Sequence, residues 1–218
     1  MATTATLTNR EVCKAALRKI NVAPQGATPP AEQSAEAVAA LNRMLKSWQN
    51  QGINLWTEAE VSVTATTGSS HSVSPRPFEV LDVRFRRDGV DIPMQRMTRL
   101  EYFNLPNKTT TGTPTTYFVD MQREACTMYV WPILGSVTSE TFELTVSREV
   151  EDVALDDPVD CPAEFYDAVV YGLAARLIDD YEVESQTAIR IVARAEAEYQ
   201  MALAHDRQDS VFFMEPGY

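Results

Sequence analysis

Glycine is scarce in this chain: eight residues in 218, with no two closer than 16 positions apart. That spacing excludes G-x-G-x-x-G, G-x-x-x-x-G-K and G-x-S-x-G, and with them the usual phosphate loops, dinucleotide sites and nucleophile elbows. Histidine is scarcer, with only His71 and His205. His71 follows a Gly-Ser-Ser stretch and His205 ends a helical pattern, so both read as solvated or capping side chains without an adjacent ligand partner. The three cysteines, Cys13, Cys126 and Cys161, are odd in number and widely spaced. They fit neither a disulfide framework nor a zinc site and read as reduced thiols. The apolar runs are a few residues long, far below the ~20 of a membrane helix. The N-terminus lacks the charged-then-apolar pattern of a signal peptide. The expectation is a non-enzyme with no membrane segment, no cofactor and no metal.

Acid is plentiful and unevenly spread. Residues 151–218 hold 16 acidic and 4 basic side chains, whereas residues 1–150 hold 15 of each, so the whole net charge of −12 sits in the C-terminal third. A nucleic-acid-binding module needs the opposite sign, because its affinity comes from lysine and arginine on phosphates. Paired carboxylates such as Asp156, Asp157, Glu164 and Asp167 could serve glycoside hydrolysis, but 31 acids produce such pairs by chance.

The hydrophobic pattern changes period twice. Val12, Ala15, Ala16, Leu17 and Ile20 predict a helix over 9–21, opened by a Thr8/Glu11 capping box and ended before Pro24 and Gly26. Val38, Leu41, Leu45 and Trp48 predict a second helix over 31–51, capped by Gly52. From about 58 to 150 the period falls to two. The extended runs there include 61–65, 81–85, 117–121, 127–131 and 141–150, with an Asp88-Gly89 hairpin turn. Thr98/Glu101 repeats the capping-box spacing over a short helix at 99–104. The runs suggest an antiparallel meander. Helix then returns. Pro162 suits a first helical position, Phe165, Val169, Leu173 and Leu177 line one face, and a break at 179–184 precedes a fourth helix over 185–205. Ile189, Val192, Tyr199 and Leu203 are read as its inward positions.

The fold class is therefore α+β: a helical bundle built from both chain ends, an inserted antiparallel β region and an extended C-terminal tail. The expected domains are a discontinuous helical domain (1–57 and 151–205), the β insertion (58–150) and the tail (206–218). Three features are candidate contacts. Arg84, Arg86 and Arg87 cluster beside the hairpin turn. Asp179 and Asp180 fall at the C-terminus of the third long helix, where the dipole disfavours negative charge, so either the helix continues or a cation from Arg176, Arg190 or a neighbouring chain compensates. Val211, Phe212, Phe213 and Met214, with Tyr218, form an apolar tail segment that either folds back or docks on another protein, each buried phenylalanine contributing ~1.5–3 kcal/mol.

The chain resembles the head-to-tail adaptor family of tailed bacteriophages, also called tail accessory factors or head–tail connectors, over residues 10–181. The resemblance rests on the order and spacing of several elements: ALRKINV (16–22), AALNRMLKSW (39–48), GINLW (52–56), the stretch 84–93 with its Asp-Gly turn, KTTTGTP (108–114), YVWP (129–132) and CPAEFYDAVVYGLA (161–174). It implies a structural virion protein at the head–tail junction, synthesised in the bacterial host cytoplasm. It further implies a ring of 12 copies under the portal protein, helices toward the portal and β elements toward a tail or nozzle protein. DNA would pass through the lumen without specific binding. The alternatives are a virion-associated cell-wall hydrolase and a DNA-binding module.

Overall fold

A computed structural model describes residues 7–24, 26–51 and 57–205. Contacts divide them into two compact units, one of residues 7–51 with 150–205 and one of residues 57–149. Both helices and sheets are present, so the chain is α+β.

Helix α1 (Asn9–Lys19) begins at a complete capping box. The Glu11 N–H donates to the Thr8 hydroxyl, and the Thr8 N–H donates to the Glu11 carboxylate at 2.9 Å. These reciprocal bonds satisfy backbone donors that a first turn leaves free. They also hold the Glu11 carboxyl below the ordinary glutamate range. The helix ends at Ile20, and Asn21 follows with φ of 61°, a left-handed conformation that asparagine tolerates. Helix α2 (Ala31–Asn50) follows Pro30, with Gln51 as its C-cap. The cap expected at Gly52 lies outside the described residues.

Helix α4 (Tyr166–Leu177) is entered through a 3₁₀ turn (Ala163–Phe165), and α5 (Ser185–His205) runs back along it. Pro162 stands just before the 3₁₀ turn in extended conformation (φ −63°, ψ 158°), not inside the helix as its sequence position suggested. Its fixed φ suits either place. Helix α4 touches α1, α2 and α5. Its Val169, Leu173, Ala174 and Leu177 are fully buried against Val12, Ala16 and Leu17 of α1 and Leu41, Met44 and Leu45 of α2 in one apolar core.

Of the four apolar positions expected on α5, Tyr199 and Leu203 pack half-buried against the core, and the other two do not. Ile191, Ala195, Glu198 and Ala202 are buried, while Ile189 and Val192 are exposed. Small side chains let α5 lie close on α4, and Glu198 tolerates burial because Arg194, one turn away, pairs with it at 2.5 Å.

The chain re-entering this unit at residues 150–157 lies in no strand, and its backbone groups are met by side chains and by the first N–H groups of α1, Asn9 donating to the Asp157 C=O and Arg10 to that of Leu155. The Val150 N–H donates to Gln49 Oε1. Asn42 takes both groups of Val153, its Oδ1 accepting from the N–H and its Nδ2 donating to the C=O. Asn9, fully buried, donates to the carbonyls of Ala154 and Asp157. Lys46–Asp152 and Arg10–Asp156 ion pairs flank this seam.

The other unit holds two four-stranded sheets. The first, in order β1-β8-β3-β4, joins β1 (Glu58–Thr64), β3 (Pro77–Arg87), β4 (Val90–Pro93) and β8 (Thr141–Arg148), all antiparallel. The second, in order β2-β7-β6-β5, joins β2 (Ser70–Val73), β5 (Gln95–Arg96), β6 (Thr116–Met121) and β7 (Cys126–Trp131). The hairpin β3–β4 turns on Asp88 and Gly89, both at positive φ (52° and 77°), as a two-residue turn requires. The arrangement is not a simple meander. Strand β8 inserts between β1 and β3, and the two-residue β5 pairs with β6 in parallel. Phe85, Phe142, Leu144, Met128 and Val130 lie in the apolar core that the two sheets share. Short helix α3 (Arg99–Phe103) carries the second capping box, Thr98 with Glu101.

Gly172 sits where α4 meets α2. A Cβ built there would lie 3.0 Å from both Met44 Sδ and Trp48 Cζ2. Gly-to-Ala inside a helix ordinarily gains up to ~1 kcal/mol. Here Gly172→Ala should instead destabilise the protein by roughly 1–3 kcal/mol through overpacking, read as a lower urea midpoint with an unchanged slope.

Candidate interaction surfaces

The three arginines by the hairpin turn are all engaged within their own unit. Arg84 pairs with Glu60 at 2.8 Å and approaches Asp91. Arg86 makes two bonds to the Asp91 carboxylate, at 2.6 and 2.8 Å, and approaches Glu143. Arg87 donates to Glu140, whose other oxygen accepts the Thr138 and Ser139 N–H groups. These bonds hold the Glu140 carboxyl below the usual range, the backbone donors contributing most. Asp91 is held down mainly by Arg86. The row Glu60–Arg84–Asp91–Arg86–Glu143 crosses all four strands of the first sheet, and each positive charge in it meets a carboxylate.

On the second sheet, Tyr117, Val119, Met128 and Val130 point into the core while Phe118 and Tyr129 alternate to the other face. Helix α3 covers that face. Tyr102 stacks on Phe118 with ring centroids 5.6 Å apart, and Phe118 on Tyr129 at 5.9 Å. Arg99 lies over Phe118 and pairs with Asp120. Leu100 (71% exposed) and Phe103 (57%) stand outward on α3. Sequence reasoning missed them as surface residues, although Leu100 and Phe103 share one side of a helix too short to bury both sides.

His71 is neither solvated nor in a loop. It lies in β2, buried, with its ring edge-on to Phe142 at 4.8 Å. Its Nε2 accepts the Thr66 N–H at 3.1 Å, so the proton belongs on Nδ1, which is buried without a partner. The alternation Ser70, His71, Ser72, Val73 was the signal for a strand with His71 inward. His205 closes α5. Cys13 and Cys126 are buried free thiols, and Cys161 is a half-buried one. Burial pushes Cys13 and Cys161 up to about 12, which leaves neither as a thiolate at neutral pH.

Among the described residues, no cation neutralises Asp179 or Asp180. Helix α4 stops at Leu177 with Ile178 as C-cap, both aspartates are exposed, and no ion pair among the described residues joins them to Arg176 or Arg190. Asp156 is instead paired with Arg10, and Asp157 accepts the Ala154 N–H. Lys19, Tyr171, Arg190, Ile191 and Arg194 line a notch of about 380 Å³ beside α4. A wider apolar groove of about 650 Å³ runs along α2, with Pro29, Ala35, Val38 and Leu155 in its walls. Val211, Phe212, Phe213, Met214 and Tyr218 lie outside the described residues. Among the described residues, no group of His, Cys, Asp and Glu is placed to hold a metal ion, and no helix is long and apolar enough to cross a membrane.

The β unit thus carries a matched row of charges and an exposed apolar pair on α3, and the helical unit carries exposed charges of both signs. The model of the family described as SU10 adaptor protein matches residues 10–214, and the chain belongs to that family of phage head-to-tail adaptors. The match extends through α5 and takes in Val211 to Met214. No curated protein matches the chain.

The buried His71 generates a pH effect. Burial lowers its pKa below the free value of 6.5. The unfolded chain therefore takes up the proton first, and stability present above about pH 6.5 is lost as pH falls through the folded value. Thermal unfolding between pH 7.5 and 5.5 should show a falling midpoint for the native protein. His71→Leu, less stable throughout because the Thr66 N–H loses its acceptor, should show a flatter dependence.

Proposed function

We propose that the protein forms a ring of 12 copies that docks under the portal and extends the DNA channel toward the tail. The family match over 10–214 carries this reading. The helical bundle, assembled from both chain ends, meets the portal, and the β unit meets a tail or nozzle protein. Residues Val211, Phe212, Phe213, Met214 and Tyr218 serve as the portal-docking segment. A modest anchor of this kind, repeated around a ring, becomes strong through effective concentration.

Two physical features support the reading. A channel wall must let DNA slide, and a chain of net charge −12 supplies few cations to hold phosphates. The arginines at the β3–β4 hairpin, Arg84, Arg86 and Arg87, already have carboxylate partners. They suit a contact with a neighbouring protein through an existing charge network better than a grip on DNA.

Mixing the purified protein with the intact portal ring from the same genome should yield a discrete complex with one copy per portal subunit, read by native mass. Removing residues 211–218 should weaken that complex while leaving the circular dichroism spectrum unchanged. A portal ring that stays bare at micromolar adaptor concentration counts against the docking role.

A further inference from the structure

Two patches of opposite charge in the helical unit leave each other unneutralised. The first is the turn between α4 and α5. It brings Asp179, Asp180, Glu182 and Glu184 to the surface within six positions, all exposed. Asp179 and Asp180 stand at the negative end of the α4 dipole, a position that disfavours carboxylates. Arg176, in the last turn of α4, and Arg190, in the second turn of α5, are the cations nearest in sequence. No ion pair among the described residues links either to the turn. Among the described residues the carboxylates of this turn have no cation partner, and they stand exposed to a partner.

The second patch is the notch of Lys19, Tyr171, Arg190, Ile191 and Arg194. Lys19 Nζ donates to the Tyr171 hydroxyl at 3.0 Å and lies 4.6 Å from the ring centroid. The Arg194 guanidinium sits 5.8 Å from the same centroid and pairs with Glu198. Among the described residues, neither Lys19 nor Arg190 has a carboxylate partner. Three cations therefore face one carboxylate, and the notch keeps a surplus of positive charge within a chain region rich in acid. The Tyr171 oxygen accepts from Lys19, which leaves its own O–H to donate toward an acceptor in the notch.

A ring is built from unlike patches, one from each neighbour, repeated until the rotation closes. We infer that the acidic turn at 179–184 of one copy seats in the Lys19–Arg190–Arg194 notch of the next. The occupant is a second copy of this chain. The inference rests on the ring reading and adds to it the residues that join adjacent subunits. Carboxylates of the turn would meet Arg190 and Lys19, and Tyr171 would supply a flat floor and a hydroxyl donor. Opposite charge on the two surfaces also favours the head-to-tail pairing over like-with-like association.

The test uses two charge-reversed proteins. One carries Lys19→Glu and Arg190→Glu in the notch. The other carries Asp179→Lys, Asp180→Lys and Glu182→Lys in the turn, so that three of its four charges are reversed and its net sign is positive. Each alone should fill the portal ring at least about tenfold less well than the native protein at low salt, because turn and notch then carry like charge. A 1:1 mixture should recover filling, since alternating copies place every turn against a notch of opposite sign, and a ring with an even number of copies closes. Recovery by mixing cannot arise from misfolded components. The inference is overturned if each variant alone fills the ring as the native protein does, or if the mixture stays as poor as its components. It is also overturned if only the notch variant fails, which would assign the notch to a different acidic partner. Native protein that does not multimerise on the portal would instead overturn the ring reading, and this contact with it.

Discussion

The helical unit depends on α4 finding α1 and α2 across an interval of more than a hundred residues. Its core residues Val169, Leu173 and Leu177 are fully buried in the one apolar cluster that also holds Val12, Leu41 and Met44. Closing so long an interval costs only logarithmically more than closing a short one. Burial alone does not settle where residues 150–157 lie, because an irregular segment at a core edge must have its N–H and C=O groups matched. Gln49, Asn42 and Asn9 do this with side-chain amides, which carry both donor and acceptor, as a strand would. The close approach at Gly172 then fixes the spacing of α2 and α4.

What was legible in the sequence was what is local. Both capping boxes, the Asp88-Gly89 turn and the extents of α1, α2 and α5 follow from interactions within four residues, and the structure has them. The order of strands did not follow. Strand β8 takes the place between β1 and β3 through pairings with partners some 60 to 80 positions away, such as Val61 with Leu144 and Phe85 with Phe142. No turn signal encodes such a partner. On α5, Tyr199 and Leu203 were placed rightly, but Ile189 and Val192, which outrank Ala195 and Ala202 in hydrophobicity, stand exposed while those alanines are buried. His71 was misjudged because a histidine beside glycine and serine suggests a loop, while its alternation with Val73 placed it in a strand.

The candidate surfaces divide along the same line. The cluster of Arg84, Arg86 and Arg87 was visible as a cluster. Its partners were not, because Glu60, Glu143 and Glu140 come from other strands or loops. The conflict of Asp179 and Asp180 with a helix end was visible because a dipole argument needs only the end of the helix. The notch was not, since Lys19 lies some 150 residues before Tyr171 and 170 before Arg190.

The division of the helical unit between the two chain ends also sets an order in time. During synthesis α1 and α2 are complete long before α4 emerges, and until then the apolar stripe of Val12, Leu17, Leu41 and Met44 has only a two-helix contact to shelter it. The intervening unit, residues 57–149, contains all of its own sheet partners and can collapse first. The β unit thus needs no helix of the other unit to complete its sheets, whereas α1 and α2 wait for α4 and α5 to complete their core.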